Sequence, residues 1–395
     1  MKLTGARAYT VRTPPPNLGG LFWYFVRLET DSGLVGWGEA AALFSLYGLD
    51  RSFAQLVEDN FERYLRGHDP RNREALGKRM IEGLTSGRAG YFATAVASAF
   101  DLALWDLCGK HFGAPVCDLL GGRYRERMRS YTYIYGSLEA GDLATATRDW
   151  SRNPGAVAEK ARRLVDEGFT GLKLDPLPYT PPGAGPPGPR EFRLEDYDAA
   201  ERTIAAIREA VGNRADILIG THGQMTPSVS RRLARRLEPY DPLWLEEPCP
   251  PENPEEMARI AASTTIPIAT GERLVLVHDF HRLFRAGACA FAQPDLGSCG
   301  GFTAAKQIAA LAEAHHVLLA PHVWGGPIIT AAALQLDAAI PNFLIQESIH
   351  KSGLFFDEIL VEPFVFEDGD LLLPDRPGLG VELDETALER HALRR

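Results

Sequence analysis

Apolar and polar residues alternate along residues 22–40, where FWYFVRLETDSGLVGWGEA carries the turn pair Ser32-Gly33 near its middle. Alternation with a period of two around a turn pair is typical of an antiparallel β-hairpin. A helical pattern follows, most clearly in ATAVASAFDLALWDLCGKHFG. The first stretch of the chain, residues 1–125, is therefore predicted to be a small α+β domain.

From residue 126 onward, short apolar runs alternate with helical segments, a pattern typical of parallel strands with helices outside them. Eight such runs favour a barrel of the α/β class over an open sheet, and residues 126–355 are assigned to it. The segment 356–395 alternates again and is predicted to return to the first domain. The eight runs are RSYTYIYG, TGLKLD, ADILIG, LWLE, IPIATGE, CAFAQPD, VLLAPH and NFLIQE.

A proline-rich segment, PLPYTPPGAGPPGPR at 176–190, interrupts this pattern after the second barrel strand. Proline lacks the backbone donor that a helix needs, so this segment is not predicted to be helical. Two interpretations stay open. It is either a stiff surface spacer or an insertion that shapes a substrate pocket, since active-site loops occupy that end of a barrel.

Composition and charge limit the classes of function. A formal net charge of −10 argues against general affinity for nucleic acid, so an anionic substrate would need a local positive charge such as a metal ion. The N-terminal MKLTGARAYTVRTPPP has no apolar run typical of a signal peptide, and no membrane span is expected. Five cysteines without zinc-type spacing fit a reduced compartment, so we expect a soluble cytoplasmic protein.

Polar residues end or closely follow the later apolar runs at intervals of 23 to 27 residues, about one strand and one helix each time. This regular interval places each polar side chain at the carboxyl end of a successive strand, where barrel enzymes assemble their active sites. Capping of the next helix is the structural alternative for any single residue. Six residues in phase favour one shared site, and they are His222, Glu246, Glu272, Asp295, His322 and Glu347.

Several longer motifs resemble those of the enolase superfamily, in its mandelate racemase subgroup and most closely its galactonate dehydratase-like branch. The resemblance covers nearly the whole chain. It implies an N-terminal capping domain completed by the C-terminal tail, and a modified (β/α)7β TIM-type barrel that binds Mg²⁺. The motifs are ALWDLCGKHFGAPVCDLLGG at 103–122, WLEEP at 244–248, IPIATGER at 266–273, QPDLGSCGGF at 293–302, APHVWGGP at 320–327 and PDRPGLGVELD at 374–384.

The resemblance also implies roles for individual residues. Glu246 and Glu272 match the metal ligands of the fourth and fifth barrel strands, and Mg²⁺ prefers such oxygen ligands, although Mn²⁺ or another divalent ion is possible. Asp295 and His322 match the family's acid–base dyad. Glu347 matches the glutamate of the eighth strand near the substrate carboxylate, and Lys173 of LKLD matches the first basic position of the family's Lys-x-Lys or Lys-x-Asn motif.

Two positions depart from the family pattern. Gly220 stands where the third barrel strand usually presents an aspartate ligand, and His222, on the same face, is expected either to bind the metal or to act as the opposing base. Asp175 replaces a basic or amide residue, and it could offset the missing carboxylate or alter the substrates that fit. If the strand end tolerates a side chain, Gly220→Asp is expected to tighten Mg²⁺ binding.

The leading functional hypothesis is removal of the proton next to a carboxylate, through an enediolate, with dehydration of a small aldonate or aldarate to a 2-keto-3-deoxy acid. Racemisation, epimerisation or cycloisomerisation of a related acid is the first alternative. A catalytically impaired relative that binds a sugar acid is the second, motivated by Gly220. The resemblance also implies a homo-oligomer.

Overall fold

The computed structural model describes residues 1–15, 17–41, 48–134, 153–177, 190–349 and 355–393. Most of the proline-rich segment at 176–190 lies outside the described residues. The described chain forms a small N-terminal sheet with helices, a barrel of parallel strands, and a tail that contacts both.

Three antiparallel strands form the N-terminal sheet in the order β1 (Leu3–Arg12), β2 (Phe22–Thr30) and β3 (Val35–Ala40). The predicted hairpin is confirmed as β2 paired with β3. Gly33 adopts a φ of 81° in its turn, in the left-handed region that glycine enters without steric cost. Both faces of β2 are buried, because Trp23 and Phe25 join one apolar cluster while Tyr24, Val26 and Leu28 join another.

Four helices follow this sheet: α1 (Leu49–Tyr64), α2 (Arg73–Thr85), α3 (Tyr91–Phe112) and α4 (Val116–Leu120). Helix α3 packs directly on β3. The absence of a side chain at Gly38 permits this close packing, since a Cβ atom there would collide with the carbonyl oxygen of Ala99. By length and composition α3 is the one helix of the described chain that could cross a membrane, but 89% of its apolar window is buried inside the molecule.

Parallel strands form at all eight runs predicted for the barrel, which confirms the predicted fold class. Their bounds are β4 (Arg127–Tyr133), β5 (Gly171–Leu174), β6 (Asp216–Gly220), β7 (Trp244–Glu246), β8 (Ile268–Thr270), β9 (Phe291–Ala292), β10 (Leu318–Leu319) and β11 (Gln346–Glu347). The described helices between them are α5 (Pro154–Asp166), α6 (Leu194–Val211), α7 (Pro227–Leu237), α8 (Pro254–Ala261), α9 (Leu276–Ala286), α10 (Gly301–Ala314) and α11 (Pro327–Ala339).

The barrel closes where the last parallel strand returns to the first. Strand β11 pairs with β4, and Leu319 of β10 exchanges backbone hydrogen bonds with Asn342 and Leu344 of the segment that leads into β11. A buried cluster joins residues from several strands, and the larger core lies between the strands and the surrounding helices. The cluster comprises Tyr131, Leu218, Trp244, Ala269, Ala320 and Ile345.

The C-terminal tail contains α12 (Phe355–Ile359), β12 (Phe366–Glu367), β13 (Asp370–Leu372) and α13 (Glu385–His391). Strand β13 pairs antiparallel with β4 of the barrel. Helix α13 contacts β1, and Glu385 accepts a hydrogen bond from Arg27 at 3.0 Å. The tail therefore links the barrel to the N-terminal sheet.

Glu39 of β3 joins the N-terminal sheet to the barrel. Its fully buried carboxylate accepts hydrogen bonds from the backbone N–H groups of Gly326, Ile328 and Ile329 at the start of α11, two of them at 3.1 and 3.0 Å. A carboxylate at this position satisfies donors that have no partner within the helix. Burial nevertheless raises the pKa of Glu39 to about 8, against the lowering effect of these backbone hydrogen bonds.

We expect Glu39→Ala to lower the free energy of unfolding by about 2 kcal/mol, because buried amide donors lose their acceptor. Glu39→Gln retains an acceptor oxygen and should cost less. Urea unfolding followed by circular dichroism measures both changes.

The stabilising effect of Glu39 should also depend on pH. A folded-state pKa of about 8, above the ordinary 4.5, means that the folded chain holds a proton that the unfolded chain releases. The contribution is full below pH 4.5 and is lost as pH rises through 8. The stability difference between the wild type and Glu39→Gln should shift steadily against the wild type over this range, and a constant difference would contradict the raised pKa.

Candidate active site at the carboxyl ends of the barrel strands

The six polar residues predicted from the strand spacing lie at one end of the barrel, together with Lys173, which the family resemblance indicated. Glu246 and Glu347 are the last residues of β7 and β11, and Lys173 lies within β5. The other four follow their strands by two or three residues, and all seven side chains are buried or partly buried. These four are His222 after β6, Glu272 after β8, Asp295 after β9 and His322 after β10.

Lys173 lies at the centre of this group. Its ammonium contacts Glu246 Oε1 at 2.5 Å and Glu347 Oε1 at 3.2 Å, and all three side chains are at most 2% exposed. Burial disfavours the charged form, but the charges of Glu246 and Glu347 outweigh it and hold the pKa of Lys173 well above its usual value. Lys173 is therefore a fixed positive charge inside the barrel mouth.

His322 and Asp295 form a hydrogen-bonded pair. The distance from His322 Nδ1 to Asp295 Oδ2 is 2.7 Å, and Nε2 lies 3.7 Å from Glu272 Oε2. The second oxygen of Asp295 accepts a hydrogen bond from the Gly297 N–H at 2.7 Å, which fixes the carboxylate. Burial lowers the pKa of His322, but Glu347, Asp295 and Glu272 together raise it to about 10.

The two predicted metal ligands, Glu246 and Glu272, interact electrostatically. Burial raises the pKa of Glu246, the Lys173 charge lowers it, and the Glu272 charge raises it further. Burial also raises the pKa of Glu272, but nearby positive charges lower that pKa to about 2. The residues that carry these charges are His322, Arg273, His222 and Lys173. Repulsion between two buried carboxylates is relieved by any cation that both can bind.

His222 is paired with Asp175, which follows β5 directly. The distance from His222 Nε2 to Asp175 Oδ2 is 3.1 Å. His222 has a φ of 51°, an uncommon conformation for a non-glycine residue, and its carbonyl accepts a hydrogen bond from Arg273 at 2.6 Å. Burial lowers the pKa of His222, but Asp175 and Glu272 together raise it, with a net upward shift.

The strand end at Gly220 does not tolerate a side chain while its neighbours keep these positions. A Cβ atom there would collide with Asp175 Oδ1 and would lie 3.3 Å from Lys173 Cε. The expectation that Gly220→Asp alone would tighten Mg²⁺ binding therefore meets a steric obstacle that the sequence did not reveal.

Sequence reasoning missed two residues that hold the carboxylates. Gln293 donates a hydrogen bond to Glu246 Oε2 at 2.9 Å, and Tyr133 donates one to Glu347 Oε1. Gln293 lies two residues before Asp295 within the QPD motif, and Tyr133 lies within the first barrel strand. The period-two alternation of strands could have indicated Gln293, whereas nothing in the sequence pairs Tyr133 with Glu347.

The donor chemistry of the site fits a divalent cation. Among the described residues, no three side chains of His, Cys, Asp or Glu are already arranged around one metal position. Glu246 and Glu272 nevertheless supply buried carboxylates that repel each other, and Asp175 Oδ1 is buried without a hydrogen-bond partner. Carboxylate oxygens are ligands that Mg²⁺ and Mn²⁺ prefer. The assignment of individual metal ligands stays a prediction.

Comparison with known protein families and sequences gives a consistent result. The family described as enolase C-terminal domain-like matches residues 156–387, and the mandelate racemase/muconate lactonizing enzyme N-terminal domain family matches residues 22–121. A protein of Ralstonia nicotianae named D-galactonate dehydratase is 36% identical over 397 residues, which cover 98% of this chain and 93% of that protein. One of the same name from Variovorax paradoxus is 35% identical over 395 residues, with the same coverage.

Solved structures resemble the whole chain as well. A mandelate racemase/muconate lactonizing enzyme from Jannaschia sp. CCS1 superposes with a TM-score of 0.91 at 38% identity. The match covers 100% of this chain and 98% of the Jannaschia chain. At this level of identity and coverage, similarity extends beyond the barrel architecture, which many unrelated enzymes share.

Proposed function

The chain belongs to the mandelate racemase/muconate lactonizing enzyme family of the enolase superfamily, and from this premise we propose that it dehydrates a sugar acid. The reaction would remove the proton next to the carboxylate, pass through an enediolate, and yield a 2-keto-3-deoxy acid. The relatives named D-galactonate dehydratase support this reaction class.

One geometric observation carries the proposal. Two histidines, His222 and His322, are each hydrogen-bonded to their own aspartate, and both interact electrostatically with Glu272. An aspartate fixes the tautomer and orientation of the imidazole that it contacts. The site thus offers two positioned proton-transfer groups around one carboxylate, which is what a reaction that removes one proton and delivers another requires.

The residues divide the reaction between them. His222 removes the proton from the carbon next to the carboxylate, and the electron pair of that C–H bond moves into the carboxylate to give the enediolate. His322, whose pKa of about 10 favours the protonated form, donates its proton to the hydroxyl of the adjacent carbon. The electron pair then returns to form a C=C bond between the two carbons as the C–O bond breaks and water leaves. The resulting enol tautomerises to the 2-keto acid.

A buried cation would stabilise the negative charge that develops on the substrate. The Lys173 ammonium is held by Glu246 and Glu347. There it would stabilise the second negative charge that develops on the substrate carboxylate. A divalent cation held by Glu246 and Glu272, proposed to be Mg²⁺ with Mn²⁺ as the alternative, would add positive charge at the same carboxylate. We also propose a cytoplasmic homo-oligomer that binds neither nucleic acid nor membrane.

A racemisation or epimerisation is the second candidate, and the same two histidine–aspartate pairs favour it. If His222 removes the proton and His322 returns one to the opposite face of the same carbon, no water leaves. The fate of the intermediate therefore decides between the two reactions, and substrate chemistry determines that fate.

A screen of the metal-loaded protein against aldonic and aldaric acids tests the proposed function. We expect 2-keto acid formation, read as the semicarbazone, with at least one member of the library. Exchange of the proton next to the carboxylate with deuterium from solvent, without any 2-keto acid, would instead support the epimerase. Absence of both reactions with every acid would contradict both candidates.

We expect Glu246→Gln and Glu272→Gln each to abolish turnover while the fold is retained, because an amide carries no charge to hold a divalent cation. Turnover is measured with the best acid from the screen, and the fold by circular dichroism. Glu252→Gln is the matched control, since it removes the same charge from an exposed residue of the loop after β7. Wild-type turnover in either site variant would remove that residue from the proposed metal site.

The His322–Asp295 pair should show unequal effects. We expect His322→Asn to lower kcat by about 10²- to 10⁴-fold, the usual contribution of a general acid or base. Asp295→Asn should lower kcat by less, because it removes only the group that orients and charges the imidazole. Steady-state kinetics of the two variants measure this order, and a His322→Asn enzyme as fast as wild type would refute the acid role.

A further inference from the structure

Three neighbouring barrel strands end at the same level. Lys173 and Leu174 of β5 pair with Leu218 and Ile219 of β6, so Asp175 comes next to Gly220. Gly220 in turn pairs with Glu246 at the end of β7. Residues at one level of a parallel sheet point to the same side. Asp175 and Glu246 therefore flank Gly220 and face the same interior.

The carboxylate of Asp175 fills the space above Gly220. A Cβ atom at position 220 would collide with Asp175 Oδ1, so no side chain on β6 could share this volume with Asp175 in its present position. The strand between Asp175 and Glu246 thus contributes no side chain at this level, and the carboxylate comes from β5 instead.

The two oxygens of Asp175 have different surroundings. Oδ2 contacts His222 Nε2 at 3.1 Å, whereas Oδ1 is buried and has no hydrogen-bond partner. The Asp175 side chain is only 10% exposed, and Lys173 directs its ammonium to Glu246 and Glu347. A buried carboxylate oxygen without a partner is costly unless it binds a cation.

We propose that Asp175 supplies the third carboxylate of the divalent-cation site, together with Glu246 and Glu272. His222 then orients Asp175 through Oδ2 and does not bind the cation itself. This inference rests on the proposed function, which requires the cation. It replaces the expectation that His222 completes the metal site at the third strand.

The identity of the third ligand determines the ion that the site prefers. Three carboxylates form an all-oxygen set, which suits the hard ions Mg²⁺ and Mn²⁺, whereas an imidazole ligand would shift preference toward softer ions such as Zn²⁺. Assignment of Asp175 therefore predicts that the chain binds Mg²⁺ without help from an imidazole.

Calorimetric titration of the chelator-treated full chain with Mg²⁺ and, separately, Mn²⁺ tests the ligand role without any assay of activity. We expect Asp175→Asn, which keeps the size of the side chain and removes its charge, to weaken binding of both ions by about 100-fold or more, because a ligand charge is lost. Glu252→Gln is the matched control, since it removes the same charge from an exposed residue and should leave the affinity unchanged. His222→Ala removes the partner of Asp175 Oδ2 and should weaken binding less than Asp175→Asn does, within the roughly 10- to 100-fold range of an outer-shell loss.

Moving the carboxylate back to β6 gives a second test. In the double variant Asp175→Gly with Gly220→Asp, the colliding Oδ1 is gone and the remaining close atom is Lys173 Cε, near the end of a flexible side chain. We expect this double variant to bind Mg²⁺ more tightly than Asp175→Gly alone. Circular dichroism and thermal unfolding identify the variants that are folded.

The possible results separate this inference from the proposed function. A folded wild type that binds neither ion would overturn both. A wild type that binds, with Asp175→Asn binding equally well, would overturn the role of Asp175 and leave the proposed function intact. A His222→Ala variant that loses more affinity than Asp175→Asn would make His222 the ligand. A folded double variant that binds Mg²⁺ no better than Asp175→Gly would refute the idea that a carboxylate at position 175 and one at position 220 serve the same cation.

Discussion

The buried ammonium of Lys173 connects three barrel strands that are far apart in sequence. It lies on β5 and contacts Glu246 on β7 and Glu347 on β11, with all three side chains nearly or fully buried. Removing these charges from water costs free energy, and only the attraction between the ammonium and the two carboxylates offsets it. That attraction requires the three strands to keep one arrangement. Glu347 also accepts hydrogen bonds from Tyr133 and the Val323 N–H, so β4 and the segment after β10 depend on the same position. The barrel mouth is organised around one positive charge.

One ammonium does not balance the acidic groups that surround it. Asp175, Glu246, Glu272, Asp295 and Glu347 all lie at this end of the barrel, and the two histidines each interact with one of the aspartates. Burial and the Glu272 and Glu347 carboxylates raise the pKa of Glu246, so acidic groups repel one another at this end of the barrel. A site of this composition attracts cations. Under the proposed function, an acidic substrate would enter it where a bound cation, Lys173 and the protonated His322 offset the carboxylates, which would couple binding of the substrate to binding of the metal.

Much of this arrangement could be predicted from the sequence, because the barrel repeats one strand and one helix. The interval between polar strand ends was sufficient to place Glu246, Glu272, Asp295 and His322 at one end. Hydrogen bonds between distant parts of the chain that no motif pairs could not be predicted, since they depend on the reach of a side chain and on local backbone conformation. The hydrogen bonds of Tyr133 to Glu347 and of Glu39 to the start of α11 are of this kind. Their partners are separated by more than 200 residues, and no periodicity links them.

The same limit explains why the sequence alone leaves open whether Asp175 offsets the side chain that is missing at Gly220. A glycine at one strand position means that a ligand is missing only if each strand must supply its own ligand. In the folded barrel a neighbouring strand can supply it, because residues at the same height on adjacent strands lie side by side. Asp175, Gly220 and Glu246 are such neighbours on β5, β6 and β7. Asp175 occupies the space that the absence of a side chain at Gly220 leaves open. With Asp175 as the proposed third ligand, the carboxylate expected on β6 would come from β5, at the same level of the barrel, and the two departures from the family pattern would offset each other.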